Sequence, residues 1–476
     1  MTSRRKFIRS AGVMTMGLAM PNVPVFARGR DEWESMRPKM QDRRFTSEAV
    51  EETIVRMRSS LSNKELGWLF ENCFPDTLDT TVDFGMRDGR PDTYVITGDI
   101  DAMWLRDSSA QVWPYLPLIQ KDKKLQQLIA GVINRQTRCI LLDPYANAFY
   151  KDETKLSEWK KTDITDMKPG IHERKWEIDS LCYPIRLAHE YWKISGDTAP
   201  FDEQWKEAVK TILRTFREQQ RKTSAGPYHF ERTTAFATDS LPLGGYGYPS
   251  KPVGLICSMF RPSDDATIFP FLIPSNFFAV VSLRRAAEML AAVSHDNSLA
   301  NACSQLAEEV EKALKQYAVT AHPEFGKVYA YEVNGFGSFN LMDDANVPSL
   351  LSLPYLKALP KEDVIYQNTR KLLLSDENPF FFKGSAAEGI GGPHAGLNMI
   401  WPLGIIMRAL TSSGDTEIKK CLQWLIASNA GTGFMHESFF KDEAKKFTRK
   451  WFAWANTIFG ELVLEIHARK PSLLNI

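Results

Sequence analysis

Two kinds of helical pattern alternate along this chain, and that alternation limits the fold more than any other feature. The first kind carries one apolar stripe opposite a charged face. Residues 124–142 put Leu125, Leu128, Ile129, Val132, Cys139 and Ile140 on one side and stop before Pro144. Residues 201–222 repeat this with Trp205, Ala208, Val209, Ile212, Leu213 and Phe216, and residues 299–318 with Ala302, Cys303, Leu306, Val310 and Leu314. Residues 417–429 do so with Ile418, Cys421, Leu422, Leu425 and Ile426, ahead of a stop at Gly431. A helix with one stripe packs on one side only. The second kind starts in a polar, aromatic loop and is apolar nearly all round. It covers residues 104–118, 176–194, 275–293, 394–410 and 451–467. Such a helix is buried on every side.

Pro184 predicts a kink or a late start in the second of these buried helices. Further helical patterns at 48–70, 346–356 and 362–374 bring the total to roughly a dozen. The arrangement that buries one set fully and the other on one face is two concentric rings, an all-α toroid. Its inner helices would gather their leading loops at one mouth. Residues 327–339 read as a small β insertion with a turn at Asn334-Gly335, and residues 239–259 as a long ordered loop. No low-complexity tract, linker or repeat divides the chain, so residues 28–476 read as one domain.

The first 27 residues read as an address. Arg4-Arg5 precede a weakly apolar run over 11–20, and Val25-Phe26-Ala27 has the small-residue character of a cleavage site. This is the pattern of a bacterial twin-arginine export signal, and it predicts an exported, periplasmic protein. No apolar run of membrane-spanning length follows. With 59 basic and 58 acidic residues the formal net charge is +1, which argues against a nucleic-acid partner. The six cysteines, at 73, 139, 182, 257, 303 and 421, lack CxxC or Cys-His spacing and read as small buried hydrophobes. The aromatic count of 28 Phe, 14 Tyr and 12 Trp leaves some rings for a stacking site.

Four loop-plus-helix stretches carry polar groups for which a core has no use. The first is residues 98–111, GDIDAMWLRDSSAQ, with Asp101, Trp104, Arg106 and Asp107. The second is residues 260–276, with Arg261 and the Asp264-Asp265 pair. The third joins Asp343, Asp344 and Asn346 to His394, and the fourth joins His436 and Glu437 to Trp454 and Asn456. An aromatic plate with fixed charges suits a neutral, hydroxyl-rich ligand such as a sugar. Glycosidic hydrolysis needs one carboxyl to protonate the departing oxygen and another to attack or to activate water. Asp264 or Asp265 is the candidate acid, because adjacent like charges and burial raise a carboxyl pKa. Helix N-capping after Pro262 is the competing role for that pair. Glu437 is the candidate base, and a salt bridge to Lys445 or Lys446 is its competing role. His394 and His436 lack metal-ligand spacing, and Asp343-Asp344 with Asn346 lacks the form of a calcium loop, so no metal or other cofactor is expected.

GDIDAMWLRDSSAQ, FRPSDDAT with IPSNFFAV, GFGSFNLMDDANVPSLLSLPY, GGPHAGLNMIWPLGI and MHESFFKD together resemble glycoside hydrolase family 125. The resemblance runs from about residue 70 to the C-terminus. It implies an (α/α)6 barrel and a metal-independent exo-α-1,6-mannosidase that inverts the anomeric centre of mannose-containing glycans. By motif, it makes the general acid an aspartate of SDDA, Asp264 or Asp265, and the general base Glu437. Inversion predicts the two carboxyls roughly 6.5–9.5 Å apart. Trp104, Arg106, Asp107, His394 and Asn456 are expected around the terminal sugar, and Asp101, Arg261, Asn346, His436 and Trp454 among the other substrate contacts. Two alternatives remain: a toroidal hydrolase of other specificity, like glucoamylase or trehalase, and a periplasmic sugar-binding protein without chemistry.

Overall fold

A computed structural model describes residues 33–476; the leader reading of residues 1–27 lies outside them. Helix starts explain the architecture. α1 (Glu48–Ser60) and α2 (Lys64–Cys73) begin at Ser47 and Asn63, whose side chains accept from Val50 N and Leu66 N. A short α3 (Asp76–Thr80) follows, then α4 (Leu105–Val112) and α5 (Lys123–Leu142), the latter capped by Asp122. Next come α6 (Ile178–Ser195), α7 (Glu203–Gln219, capped by Asp202), α8 (Ile273–Ala292) and α9 (Asn297–Tyr317, capped by Asp296). The last four are α10 (Val364–Leu373, capped by Asp363), α11 (Pro402–Thr411), α12 (Asp415–Ala427) and α13 (Ala453–Arg469). Side-chain caps thus fall on the one-striped helices, with α12 the exception. The buried helices α4, α6, α8, α11 and α13 have none. Three of them are entered instead through two-residue strands, at Met103–Trp104, Phe271–Leu272 and Met399–Ile400.

Successive helices form inner-outer hairpins. α4 and the 3-10 turn Trp113–Leu118 precede outer α5, α6 precedes α7, α8 packs on α9, and α11 packs on α12. Neighbouring inner helices touch in the order α4, α6, α8, and α13 packs against both α11 and α4. α13 also packs on α2, so the end of the ring closes on its beginning. This is the expected (α/α)6 toroid with small β insertions. One apolar cluster runs through it from Val50 to Leu474, and all six cysteines are buried in it unpaired. Among the described residues no helix is long and apolar enough to cross a membrane.

Five expectations change. The sixth inner position is not a helix over 346–356 but a set of turns, with Ser352 N donating to Ser349 O and Leu356 N to Ser352 O. Pro348 and Pro354 withhold two amide donors there, and the Asp343 carboxylate accepts from Leu350 N and Leu351 N instead. The Tyr366 hydroxyl from α10 and the Tyr183 hydroxyl from α6 tie this segment into the ring at Leu351 O and Val347 O. The pattern at 48–70 splits at Asn63, and the pattern at 394–410 becomes helical only at Pro402, because Gly396 and Asn398 take positive φ. α6 passes through Pro184 unbroken. The β insertion is real but its hairpin, Glu332–Val333 with Phe339–Asn340, is joined by a five-residue loop rather than a tight turn at Asn334-Gly335.

Candidate active site

The leading ends of the inner helices meet at one mouth. The strand Met103–Trp104 pairs with Ala148–Phe149 and delivers Trp104, Arg106 and Asp107 to its wall. Arg106 is buried and ringed by acids. Its Nη1 donates to Glu177 Oε2 at 2.6 Å and Asp179 Oδ2 at 3.1 Å, its Nη2 to Asp264 Oδ1 at 3.2 Å, and its Nε lies 3.5 Å from Asp107 Oδ2. Burial works against the guanidinium charge, but the four carboxylates outweigh it and hold the pKa well above its ordinary value. Burial pushes Glu177 well above the carboxylate range despite Arg106, and Asp179 up to about 6.

Asp264 and Asp265 do not cap a helix, since α8 starts only at Ile273. They sit in a tight turn where Asp264 N donates to Arg261 O and Arg261 N to Asp265 O. Asp264 has a left-handed φ of 69°, and the two adjacent side chains meet different partners. Asp264 lines the mouth, bonded to Arg106 and within 3.5 Å of Asn147 Nδ2. Lys175 Nζ holds its main-chain oxygen at 2.8 Å. Asp265 is 0% exposed and faces His394, whose Nδ1 is 3.7 Å away. Burial would raise its pKa, but His394 and the cations Arg261 and Lys175 bring it below the usual carboxylate value. Arg261 lies outside the mouth. Its Nε donates to Glu332 Oε1 at 2.7 Å, and Glu332 Oε2 accepts from Ile268 N and Phe269 N, so the pair ties the turn to the β insertion.

Glu437 is 3% exposed and precedes the strand Ser438–Phe440. Its partner is neither Lys445 nor Lys446. Arg449 Nη1 donates to Oε1 at 3.3 Å, and Thr448 Oγ1 to Oε2 at 3.0 Å. Arg449 lines the mouth and also donates to Asp99 Oδ1 and Thr97 Oγ1. Thr97 and Asp99 are held there by the bridge between Gly98 and Phe452. Gly98 has φ 132°, and a Cβ on it would stand 2.3 Å from Trp451 O, so only glycine fits.

His436 and Asn456 stand behind Glu437 rather than in the mouth. Asn456 Oδ1 accepts from Met435 N, and its Nδ2 donates to Asp76 Oδ2. His436 stacks on Phe447 with centroids 3.6 Å apart and shares a 3.0 Å hydrogen bond with Thr432. Burial, with Lys450 adding to it, pushes the imidazole down to about 4. The folded chain therefore keeps it neutral, whereas an unfolded chain protonates it near pH 6.5. The unfolded state binds the extra proton, so stability falls as pH drops from about 6.5 towards 4, by up to about 3 kcal/mol. His436→Gln is expected to flatten that part of a plot of urea midpoint against pH.

Asn346 lines the mouth, its amide bonded to Asp344 Oδ1, and Trp454 lines it from the first turn of α13. Asp101 is exposed, near Lys155 and Tyr94, and does not join the group. Glu177, Asp179, Asn147, Lys175 and Arg449 belong to the site and were not singled out in the sequence. The run 176–179, Trp-Glu-Ile-Asp, had the same signature as the other stretches, acids opening an apolar helix. The indole Nε1 of Trp104 and of Trp454 are buried without a hydrogen-bond partner. Among the described residues no group of three or more His, Cys, Asp or Glu is arranged to hold a metal ion.

Asp264 bound to Arg106 and, beside it in the lining, the Arg449 that holds Glu437 bring two carboxyl groups and two tryptophans to one polar mouth, the residue types that acid-base work on a sugar uses. Comparison with known proteins agrees. Residues 63–464 match the model of the metal-independent alpha-mannosidases, GH125. A Streptococcus pneumoniae metal-independent α-mannosidase, solved in a non-productive complex with α-1,6-mannobiose, is 42% identical, with 90% of this chain and 100% of that one covered and a TM-score of 0.86. The meiotically up-regulated gene 157 protein of Schizosaccharomyces pombe is 43% identical over 92% of this chain and 89% of its own length. A bacterial glucoamylase bound to acarbose shares the fold alone, at 14% identity and a TM-score of 0.51 over 87% of this chain and 57% of that one. With its family model covering residues 63–464 and a 42% identical α-mannosidase superposing on 90% of its length, this chain is a glycoside hydrolase of the GH125 family of metal-independent α-mannosidases.

Proposed function

We propose that this enzyme removes terminal α-1,6-linked mannose from mannose-containing glycans with inversion, Asp264 acting as general acid and Glu437 as general base. The observation that carries the reading is that Asp264, bound to Arg106, and Arg449, which holds Glu437, line one mouth. The α-1,6-mannobiose held by the similar Streptococcus pneumoniae protein supports the linkage. In this scheme Asp264 gives its proton to the glycosidic oxygen as the C1–O bond breaks. A water attacks C1 from the opposite face and Glu437 takes the water's proton. The products are β-mannose and the shortened glycan, and exchange with solvent restores both carboxyls. Asp264 is preferred to Asp265 because Asp265 is fully covered and held ionised beside His394. The twin-arginine pattern in residues 1–27 supports an exported, periplasmic setting.

Leaving-group dependence tests the assignment. Asp264→Asn is expected to lose about a thousandfold in kcat/KM on α-1,6-mannobiose. It should lose far less on a dinitrophenyl α-mannoside, whose leaving group needs no proton. Asp265→Asn is expected to lower both substrates alike. The opposite pattern would make Asp265 the acid. Proton NMR of the first turnovers should show the β anomer; α-mannose appearing first would remove the inverting scheme.

A further inference from the structure

The scheme asks one carboxyl beside Arg106 to give a proton, yet three more crowd the same guanidinium. Glu177 and Asp179 share its Nη1 at 2.6 and 3.1 Å, Asp107 stands 3.5 Å from its Nε, and Asp264 holds its Nη2 at 3.2 Å. Glu177 Oε1 and Asp179 Oδ1 are buried with no hydrogen-bond partner. A fully ionised set would leave those oxygens charged and unsolvated, whereas a shared proton relieves them.

We propose that Glu177 and Asp179 are positioning residues that set the proton affinity of Asp264 by competing with it for Arg106. The inference rests on Asp264 being the general acid. A carboxyl with a guanidinium to itself is a poor acid catalyst, because a neighbouring cation favours the ionised form. Dividing one guanidinium among four acids weakens its hold on each. The other charges facing Asp264 do not undo this. Lys175 is answered by Asp239, 2.8 Å from its Nζ, and Glu173 is answered by Arg232 at 3.0 Å. Asp265, on the same turn, is directed to His394. The upward displacement of Glu177 and Asp179, caused first by burial, fits a cluster that titrates as a unit.

The test is the pH profile of kcat/KM on α-1,6-mannobiose for the Glu177→Gln/Asp179→Asn double variant. Both changes keep shape and remove competition. Arg106 then acts on Asp264 with only Asp107 left to compete, so the alkaline limb should move acidward by about one pH unit or more. The acidic limb, which reports Glu437, should stay in place. An alkaline limb that does not move, or a loss uniform across pH as a purely structural role predicts, overturns the proposal. If the double variant fails to fold by thermal melting, Asp179→Asn alone is read in the same way. The leaving-group pattern of Asp264→Asn is measured separately. If it identifies Asp264 and the limb still does not move, this inference fails while the acid assignment stands.

Discussion

Glu437→Gln is expected to lower kcat on α-1,6-mannobiose by about a thousandfold, with mannoside affinity almost unchanged. The asymmetry follows from what the substitution keeps. Glutamine is the same size, and its oxygen can still accept from Arg449 Nη1, now 3.3 Å from Oε1. Its amide nitrogen can donate to Thr448 Oγ1, which stands 3.0 Å from Oε2 and also bonds Ser438. The loop therefore stays where Asn456 pins it through Met435. What disappears is the ability to take a proton from water, and a thousandfold loss corresponds to about 4 kcal/mol of transition-state stabilisation. Steady-state kinetics with calorimetric titration of α-1,6-mannobiose separates the two quantities. Turnover near the wild-type rate would falsify the assignment of Glu437 as base, and lost affinity would place it among the sugar contacts.

Arg106→Met should unfold more readily than any substitution at the base. Methionine fills similar space but leaves Asp107, Glu177, Asp179 and Asp264 facing one another with no cation between them. Removing one partner from a buried ionic group costs about 3–5 kcal/mol, a large share of the roughly 5–15 kcal/mol that holds a typical domain together. The loss should depend on pH. Asp179 already sits up at about 6 through burial, with Glu177 higher than its ordinary value, and without Arg106 both rise further. A carboxyl whose folded pKa is raised favours the fold below the unfolded value near 4 and loses that contribution as pH climbs through the folded one. The deficit against wild type should accordingly be smaller at pH 5 than at pH 8. Urea denaturation at the two pH values checks this, and a deficit that is equal at both would mean that the acids are not what destabilises the variant.

The ring of paired helices was legible because burial has a period. A stripe at Leu125, Leu128, Ile129 and Val132 and an all-round apolar run over 275–293 can only be satisfied by different neighbours. Elements that depend on a few local groups were not legible. Residues 346–356 looked helical by apolar content, but two prolines and the Asp343 carboxylate made turns. In the site, the residues bearing the chemistry announced themselves as acids without a core role. Their supports did not, because the same residue types serve both ends. Asn456 and His436 look like sugar ligands in sequence and instead brace the loop of Glu437. Arg261 looks like a clamp and instead ties a turn to Glu332. Arg449 is 350 residues from Asp99 in sequence and meets it only where the Gly98–Phe452 bridge joins the two ends of the ring.

The missing caps on the five inner helices have an electrical consequence. Each helix start carries about half a positive charge from its aligned peptide dipoles. Five such ends are gathered where a sugar ring becomes oxocarbenium-like and itself positive. Left alone, that backbone field would oppose bond cleavage. The carboxylates that stay ionised among Asp107, Glu177, Asp179 and Glu437 outnumber Arg106 and Arg449 and offset part of that field, so the crowding of acids is a counterweight that helps a toroid of helices host a cationic transition state.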